Sequence, residues 1–478
     1  MGTTVIRSAD WVIAWDGAAK RHVYRRHIDV AFGGAALTYV GPRYTGPADV
    51  TIDGAERMVM PGLVNVHSHP GHEPAYRGIR EEHGVRGMYM TGLFERSQAY
   101  ALPDRESRAA ATEFAYCELL KSGVTSVVDI GAPWDGWAEL AARSGLRAFL
   151  APGFASARWK LENEHELKYE WDEKSGRQRF EAALAFVDGL GRHPSGRLSG
   201  VLAPMQIDTC SEKLLRDAFA AAAERRLPFT VHIAQGVSEV LEMIRRHGVT
   251  PIQWAAQLGI LGPGTLLGHA IFIDSHSWVR WWTHRDLALM AEHGSTVAHC
   301  PTPFARYGHM LESFGGYLKA GVNMAIGTDT SPHNMLEEIR KASSLARIAA
   351  RDIHAVTLAD LLHAATIGGA AALLREDLGR IAAGAKADLV LIDLACMEMQ
   401  PARDPLRSLV FHAADRAVRE VFVDGHRVLA QGKVLGLDQA GAAARLCEAQ
   451  QRMMAAVPQR DFRRRSAEDI TPLSLPLS

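Results

Sequence analysis

Apolar residues recur along this chain in two patterns, and the change from one to the other divides it. Through the middle, eight short continuous apolar runs alternate with longer charged segments rich in alanine. The runs are "MVMPGLVNVHSH", "SVVDIG", "RAFLAPG", "LSGVLAPMQ", "PFTVHIAQ", "TLLGHAIFID", "STVAHCPTP" and "NMAIGTDT". A run without polar alternation suits a strand buried on both faces. Segments such as "DRESRAAATEFAYCELLKSG" and "SEKLLRDAFAAAAERRL" have helical length and stop at or near Gly or Pro. Eight strand–helix units in succession predict an α/β chain built as a (β/α)8 TIM barrel over residues 61–377. A doubly wound sheet is the competing arrangement.

The flanks follow the other pattern. "TVIRSADWVIAWDG", "HIDVAFGGAALTYVG" and "ADVTIDGAERMV" near the start, and "GRIAAGAKADLVLIDL" and "AVREVFVDGHRVLAQGKV" near the end, read as short strands with Gly-rich turns. "VDGHRV" predicts a hairpin turning at Asp424-Gly425. Residues 1–60 and 378–436 are therefore expected to form one small composite β-sandwich from both termini, leaving 437–478 as a C-terminal helix and tail. Two insertions interrupt the barrel pattern: 157–178 after the third strand and 275–286 after the sixth, both charged and aromatic. They leave the rim where barrel enzymes keep their sites, so each is either a lid or aromatic substrate wall, or a contact between subunits.

Composition narrows the function. The chain has 478 residues, 47% hydrophobic and 22% charged, with a formal net charge of −1. Without a basic run, nucleic acid is not an expected partner. No apolar stretch reaches the ~20 residues of a membrane span, and the first residues lack a basic-then-apolar secretory design. Five scattered cysteines make neither a disulfide framework nor a paired-thiol zinc knuckle, and a reduced cytoplasmic setting is expected. The 21 histidines are the first hint of metal chemistry.

Their placement sharpens that hint. Residues two apart in a strand point the same way, so His67 and His69 aim together from the end of the first strand. His232 ends the fifth run, His269 lies in the sixth, and Asp329 ends the eighth. Any one of these histidines alone would be a core residue or a helix cap. Five metal-binding side chains at one rim of one barrel instead predict a single divalent ion, with zinc first and iron, cobalt or manganese accepted by the same donors. Such an ion lowers the pKa of water from 15.7 toward ~7, and a nearby carboxylate can take its proton and pass it to a leaving group.

"PGLVNVHSH", "TVHIAQ", "LLGHAIFID", "VAHCP" and "AIGTDTSPHNMLEEIR", with "LGRIAAGAKADLVLID" in the flank, resemble the amidohydrolase superfamily, and most of all its cytosine deaminase and triazine chlorohydrolase branch. The resemblance implies a barrel with a composite sandwich and one catalytic metal. It implies His67, His69, His232 and Asp329 as ligands, His269 as the hydrogen-bond partner of the attacking water, and Asp329 also as the acceptor of its proton. His299 matches a further familiar position. Two-metal relatives carry a bridging lysine at the fourth strand, where this chain reads "VLAPMQIDTCS", so one ion is expected.

Two departures bear on the substrate. Deaminases of this branch carry a glutamate where this chain has Gln235, and glutamine cannot deliver a proton. Relatives often read "APHAPYTCS" at the fourth strand; here Met205 stands in place of the histidine, with Gln206 and Asp208 nearby. Both changes point away from a ring amidine and toward cleavage of a C–N or C–S bond in an acyclic amide, urea, carbamate or thiocarbamate, with Gln235 as a catalytic-site residue. The stretch "HSHPGHEPAYRGIREEHGVRGMYMTGL" also resembles hydrolases of phenylureas and of the thiocarbamate molinate. The alternative is an aminohydrolase or chlorohydrolase of an N-heterocycle such as cytosine, guanine or a triazine, with Gln235 a permitted variant. A non-catalytic scaffold would be expected to lose ligands, and all five remain.

Further substrate contacts are expected from His299, His333, Met205, Gln206, Tyr76 and Trp278. The loop holding His72, Glu73, Tyr76, Arg77, Glu81, Glu82 and His83 should overhang the metal, with one or two of its residues touching substrate and most forming a solvated or salt-bridged surface. Cys300 points away from His299 and reads as a buried thiol. Trp278, Trp281 and Trp282 form either an aromatic wall or a subunit interface. A small-molecule substrate and a homo-oligomer complete the expectation.

Overall fold

The computed structural model describes residues 2–85 and 92–477. Residues 86–91, inside the stretch compared with phenylurea and molinate hydrolases, lie outside the described residues.

Each of the eight apolar runs contains a strand: β1 (Leu63–Ser68), β2 (Val124–Gly131), β3 (Arg147–Phe154), β4 (Leu198–Gly200, continued by Ala203–Pro204), β5 (Phe229–Ile233), β6 (Thr265–His269), β7 (Thr296–His299) and β8 (Asn323–Ile326). β1 to β4 pair in parallel, and so do β5 to β8. Parallel bridges Leu202–Phe229 and Gln206–His232 join β4 to β5, and Ser68–Asp329 joins β8 to β1. The two half-sheets thereby close into a barrel. Closure explains the continuous apolar runs, because one face of each strand fills the barrel and the other meets a helix. Val64, Val66, Val128, Phe149, Val201 and Leu266 pack inside. The outer faces join the large cluster with the surrounding helices.

Those helices follow local rules. Glu212–Arg225 starts at Ser211, whose side chain accepts from the Leu214 N–H, and buries Leu214, Leu215, Ala218 and Ala222. The cap satisfies an otherwise orphaned donor, and the spacing of the buried residues makes one apolar stripe.

The two flanks meet in a sandwich. One sheet holds Ala36–Gly41, Ile28–Gly33, Thr3–Ala9 and Val50–Asp53 in that order. The other pairs the C-terminal Leu389–Asp393 with the N-terminal Arg57–Pro61, register Leu391 opposite Val59. Ile6, Val30, Phe32, Val59, Leu391 and Phe422 fill the space between. The hairpin of Val418–Val423 and His426–Ala430 turns at Asp424 and Gly425, with φ of 49° and 73°. Two successive positive φ values are what a two-residue hairpin turn requires.

Arg147, at the start of β3, ties barrel to sandwich. It donates to both oxygens of Asp388 at 3.1 Å and to Asp424 at 2.5 Å, and its side chain is 3% exposed. The C-terminal helix Gln439–Ala455 packs Leu446, Ala449 and Met453 against Ala75, Ile79 and Tyr100. Its Gln450 donates to the carbonyls of Ala75 and Arg77 at 2.6 and 2.7 Å, bracing the loop that follows β1.

Candidate metal centre

Backbone pairing at the barrel rim assembles the centre. Asp329 follows β8 with φ of 57°, a left-handed conformation that aspartate tolerates better than most residues. There its N–H donates to the carbonyl of His67 at 2.9 Å, and its own carbonyl accepts from the His69 N–H at 3.0 Å. Residues far apart in sequence are thus locked into register. His67, His69 and His232 form one group whose ligand atoms lie within 4.8 Å of one another, and His67, His269 and Asp329 form a second that shares His67.

The donor chemistry fits a cation. His69 Nδ1 lies 3.0 Å from the carbonyl of Ile130, and His232 Nδ1 lies 2.5 Å from that of Met205. A carbonyl only accepts, so both Nδ1 atoms carry the proton and both Nε2 atoms present lone pairs. Those two Nε2 atoms are 3.2 Å apart. They cannot hydrogen-bond to each other, yet they stand at nearly the ~3.3 Å that two ~2.05 Å bonds to one tetrahedral ion would give. Asp329 Oδ1 is 3.3 Å from His69 Nε2 and 3.7 Å from His67 Nε2, while Oδ2 is 3.7 Å from His269 Nε2. Among the described residues, both ring nitrogens of the buried His67 and Nδ1 of His269 have no hydrogen-bond partner.

Burial sets the protonation. It holds His69 at about 4 and His232 at about 3, and keeps His67 and His269 well below the ordinary imidazole value. All four rings are neutral, the form that ligates. Burial pushes the Asp329 carboxyl up to about 7, opposed by Arg96; a cation beside it would favour the carboxylate.

Glycine makes room for this cluster. A Cβ on Gly268, the residue before His269, would lie 2.7 Å from His67 Cε1, and one on Gly327 would lie 2.7 Å from His67 Cβ.

Above the centre opens a cavity of about 220 Å³, lined by His69, His232, His269 and Asp329 at its floor. Met205, Gln206, Tyr76 and Gln235 stand in its wall. Gln235 Nε2 donates to Gln206 Oε1, so the two departures from the family pattern touch. Three expected contacts fall outside this lining. His299, at the end of β7, is buried against Phe314 at 5.5 Å between ring centres. His333 is buried behind β1, with Nδ1 3.0 Å from Thr328 Oγ1 and 3.3 Å from Ser68 Oγ; it supports the strand end and lines no part of this cavity. Trp278 lies outside, packed on His309 at 5.2 Å and 45% exposed, with His309 itself forming the wall. Cys300 is a buried thiol, and burial pushes it well above its ordinary value.

The wall also holds residues the sequence left unassigned. The 157–178 insertion is a hairpin, Ala157–Leu161 paired with Leu167–Trp171, that sends Trp159 into the cavity. Buried Asp208 accepts from Trp159 Nε1 at 2.9 Å and from the Tyr169 hydroxyl at 2.8 Å. Phe94 and Arg96, on the helix Gly92–Ala99, complete the wall with Phe304 and Tyr307. Glu73 belongs to the buried minority of its loop. Burial pushes it up to about 7 against the pull of Arg96. No periodicity marks Arg96 or Trp159; the available signal was their position in segments leaving the catalytic rim.

Neutral imidazoles and a carboxylate converging at the C-terminal mouth of a closed barrel define a metal-dependent hydrolase, and the chain carries a histidine-rich metal site. Comparison with known proteins agrees. The amidohydrolase family profile matches residues 58–428, and the chain belongs to that family. It is 30% identical over 408 residues to a 5-methylthioadenosine/S-adenosylhomocysteine deaminase of Natronomonas pharaonis, covering 84% of this chain and 88% of the relative. It is 28% identical over 390 residues to a 5'-deoxyadenosine deaminase of Methanopyrus kandleri, covering 81% and 84%. Among solved structures, an adenosine deaminase from Xanthomonas campestris with bound zinc superposes with a TM-score of 0.80 at 24% identity, over 95% of this chain and 98% of that one. A triazine hydrolase variant does so with 0.81 at 22%, over 94% and 100%. These structural likenesses speak to the fold, and the family with its deaminase relatives makes the chain a hydrolase of carbon–nitrogen bonds other than peptide bonds.

Proposed function

We propose that this chain binds one divalent ion, zinc first, through His67, His69, His232 and Asp329, and hydrolyses an exocyclic C–N bond of a small N-heterocycle. The observation that carries the reading is the pair of unprotonated Nε2 atoms 3.2 Å apart with Asp329 facing them on a cavity floor. The deaminase names of the relatives support an N-heterocycle as substrate. When bound, the ion supplies Lewis acidity and makes water a nucleophile near neutral pH. His269 Nε2 would orient the attacking water, and Asp329 Oδ2, 3.7 Å from His269 Nε2, would accept its proton and return it to the leaving group.

A second reading is favoured by Gln235. Its amide, held by Gln206, can orient a substrate but cannot protonate a ring nitrogen. An acyclic amide, urea, carbamate or thiocarbamate needs no such acid, because charge develops on an oxygen that the ion and His269 can stabilise. The enzyme is further read as a cytoplasmic homo-oligomer with neither nucleic acid nor membrane as partner. A net charge of −1 argues against nucleic acid as a partner, and among the described residues no helix is long and apolar enough to cross a membrane.

The test offers metal-loaded protein cytosine, 5'-deoxyadenosine and an aminotriazine beside N-aryl ureas, anilides and carbamates, and measures ammonia and amine release. Ammonia from the ring compounds alone upholds the first reading; amine from the acyclic compounds alone overturns it in favour of the second.

A further inference from the structure

The cavity contains a buried charge pair that neither binds the ion nor moves the reaction's proton. Arg96 Nη2 donates to Glu73 Oε1 at 3.2 Å, and the two side chains are 12% and 5% exposed. The Arg96 guanidinium also stacks on Tyr76, 4.7 Å from the ring centre. Among the described residues this is the one hydrogen bond Arg96 makes, although a guanidinium carries five N–H donors. Glu73 Oε2 likewise has no hydrogen-bond partner among the described residues, while Oε1 has His72 Nε2 at 3.7 Å as its other neighbour. Both side chains line the cavity. Donors and an acceptor left over side by side in a confined space have to be met by whatever fills it.

We propose that Arg96 and Glu73 form a paired donor–acceptor contact that selects a neutral, flat substrate carrying an N–H group beside a carbonyl or ring-nitrogen acceptor. The inference deepens the function proposed above and rests on it for the position of the reacting carbon. Neutrality follows from charge. A substrate carboxylate would face Glu73 and Asp329, and a substrate cation would face Arg96. An edge with one donor and one acceptor satisfies both partners and disturbs neither charge. Flatness follows from the rest of the wall. Phe94, Trp159, Phe304 and Tyr307 line the cavity, and aromatic rings favour a planar body laid against them. The contact is also held in advance. Gln450 anchors the backbone on both sides of Tyr76 through Ala75 and Arg77. Gln98, two residues beyond Arg96, clasps Leu161 of the hairpin through its N–H at 2.7 Å and its carbonyl at 3.0 Å. A site built to bond a polar edge rejects the analogue that lacks it.

The test uses the full-length, metal-loaded protein and titration calorimetry, so that binding is read apart from turnover. Phenylurea is compared with N,N,N'-trimethyl-N'-phenylurea, and 5'-deoxyadenosine with its N6,N6-dimethyl derivative. The expected result is that at least one N–H-bearing compound binds tenfold or more tightly than its methylated counterpart. Arg96→Met should weaken that compound about tenfold and abolish the discrimination, Glu73→Leu should do likewise, and Arg96→Lys, which keeps the charge and loses the fork, should fall between. Metal content and Tm of each variant identify misfolding, and Arg96→Lys carries the test if Arg96→Met does not fold. Unchanged Kd and discrimination in folded Arg96 variants overturn the proposal, as does a wild-type protein that binds neither N–H-bearing compound. Turnover on the same preparations separates the two claims. Selective binding without metal-dependent product release counts against the hydrolase reading alone, whereas turnover with an unaltered KM in Arg96→Met counts against this recognition alone.

Discussion

At the scale of single residues, the centre depends on which nitrogen carries a proton and on how much room the rings have. His69 and His232 each spend Nδ1–H on a backbone carbonyl, so replacing either ring removes a lone pair that nothing nearby supplies. His67→Ala and His232→Ala are expected to lose the bound ion, seen as less than one tenth of wild-type metal by elemental analysis. Asp329→Asn is expected to lower kcat by ~10²–10⁴, the usual worth of a positioned proton acceptor. Gly268→Ala should act without touching a donor: its methyl would approach His67 Cε1 at 2.7 Å, and a displaced His67 should show as lost metal affinity. Gln235→Glu sets a carboxylic acid where the deaminase pattern has one. Ammonia release from a ring amidine should rise at least tenfold, and no rise would mean that residue 235 does not face the leaving group. The shared rim of these side chains was legible from spacing because a strand repeats every two residues and its end faces the rim. His299 and His333 fall outside the cavity lining, and residue type alone does not say which rings a cavity will meet.

Elements decide what the centre can see. The hairpin Ala157–Leu161 and Leu167–Trp171 reaches the cavity because Asp208, at the end of β4, accepts from both Trp159 and Tyr169. Arg246 stacks on Tyr169 at 4.3 Å and on Trp171 at 5.2 Å, holding the hairpin from outside. Asp208→Ala is expected to loosen this wall while leaving the ligands in place. KM should rise several-fold with metal content unchanged, and Trp159 emission should shift to longer wavelength. From sequence the 157–178 insertion could equally be a lid or aromatic wall or a subunit contact, and in the structure it sends Trp159 into the cavity. The 275–286 insertion has the same composition, yet Trp282 is 76% exposed and Trp278 reaches only the outer side of His309. Composition could not separate the two, because it does not show that buried Asp208, in the turn after β4, accepts from Trp159 and Tyr169.

Across the whole molecule, two contacts join the barrel to the sandwich and carry testable consequences. Arg147→Met would leave Asp388 buried without its cation and Asp424 with Lys386 alone, and breaking such a network is expected to destabilise the fold by ~3–5 kcal/mol, measured by urea unfolding. His22, in the sandwich, donates from Nε2 to Thr366 Oγ1 at 2.9 Å, because that hydroxyl gives its own hydrogen to the Leu362 carbonyl. Burial, helped by His363 and Arg380, holds His22 at about 4 against an ordinary 6.5. The unfolded chain therefore takes up a proton first as pH falls, and the stability His22 contributes is lost between pH 6.5 and about 4. His22→Phe should be less stable than wild type at pH 7.5, with the gap narrowing toward pH 4.5 in thermal unfolding. From its own order of residues the chain determined eight buried strands, the helices between them, the hairpin at Asp424 and five candidate metal-site side chains at or just past strand ends, because periodicity and turn chemistry act over a few neighbours. Only the tertiary structure decided that Arg96, Glu73, Trp159 and Phe304 share one cavity while Trp278 and His299 do not. Barrel closure and the bracing of loops by the C-terminal helix bring together residues whose separation along the chain carries no record of the meeting.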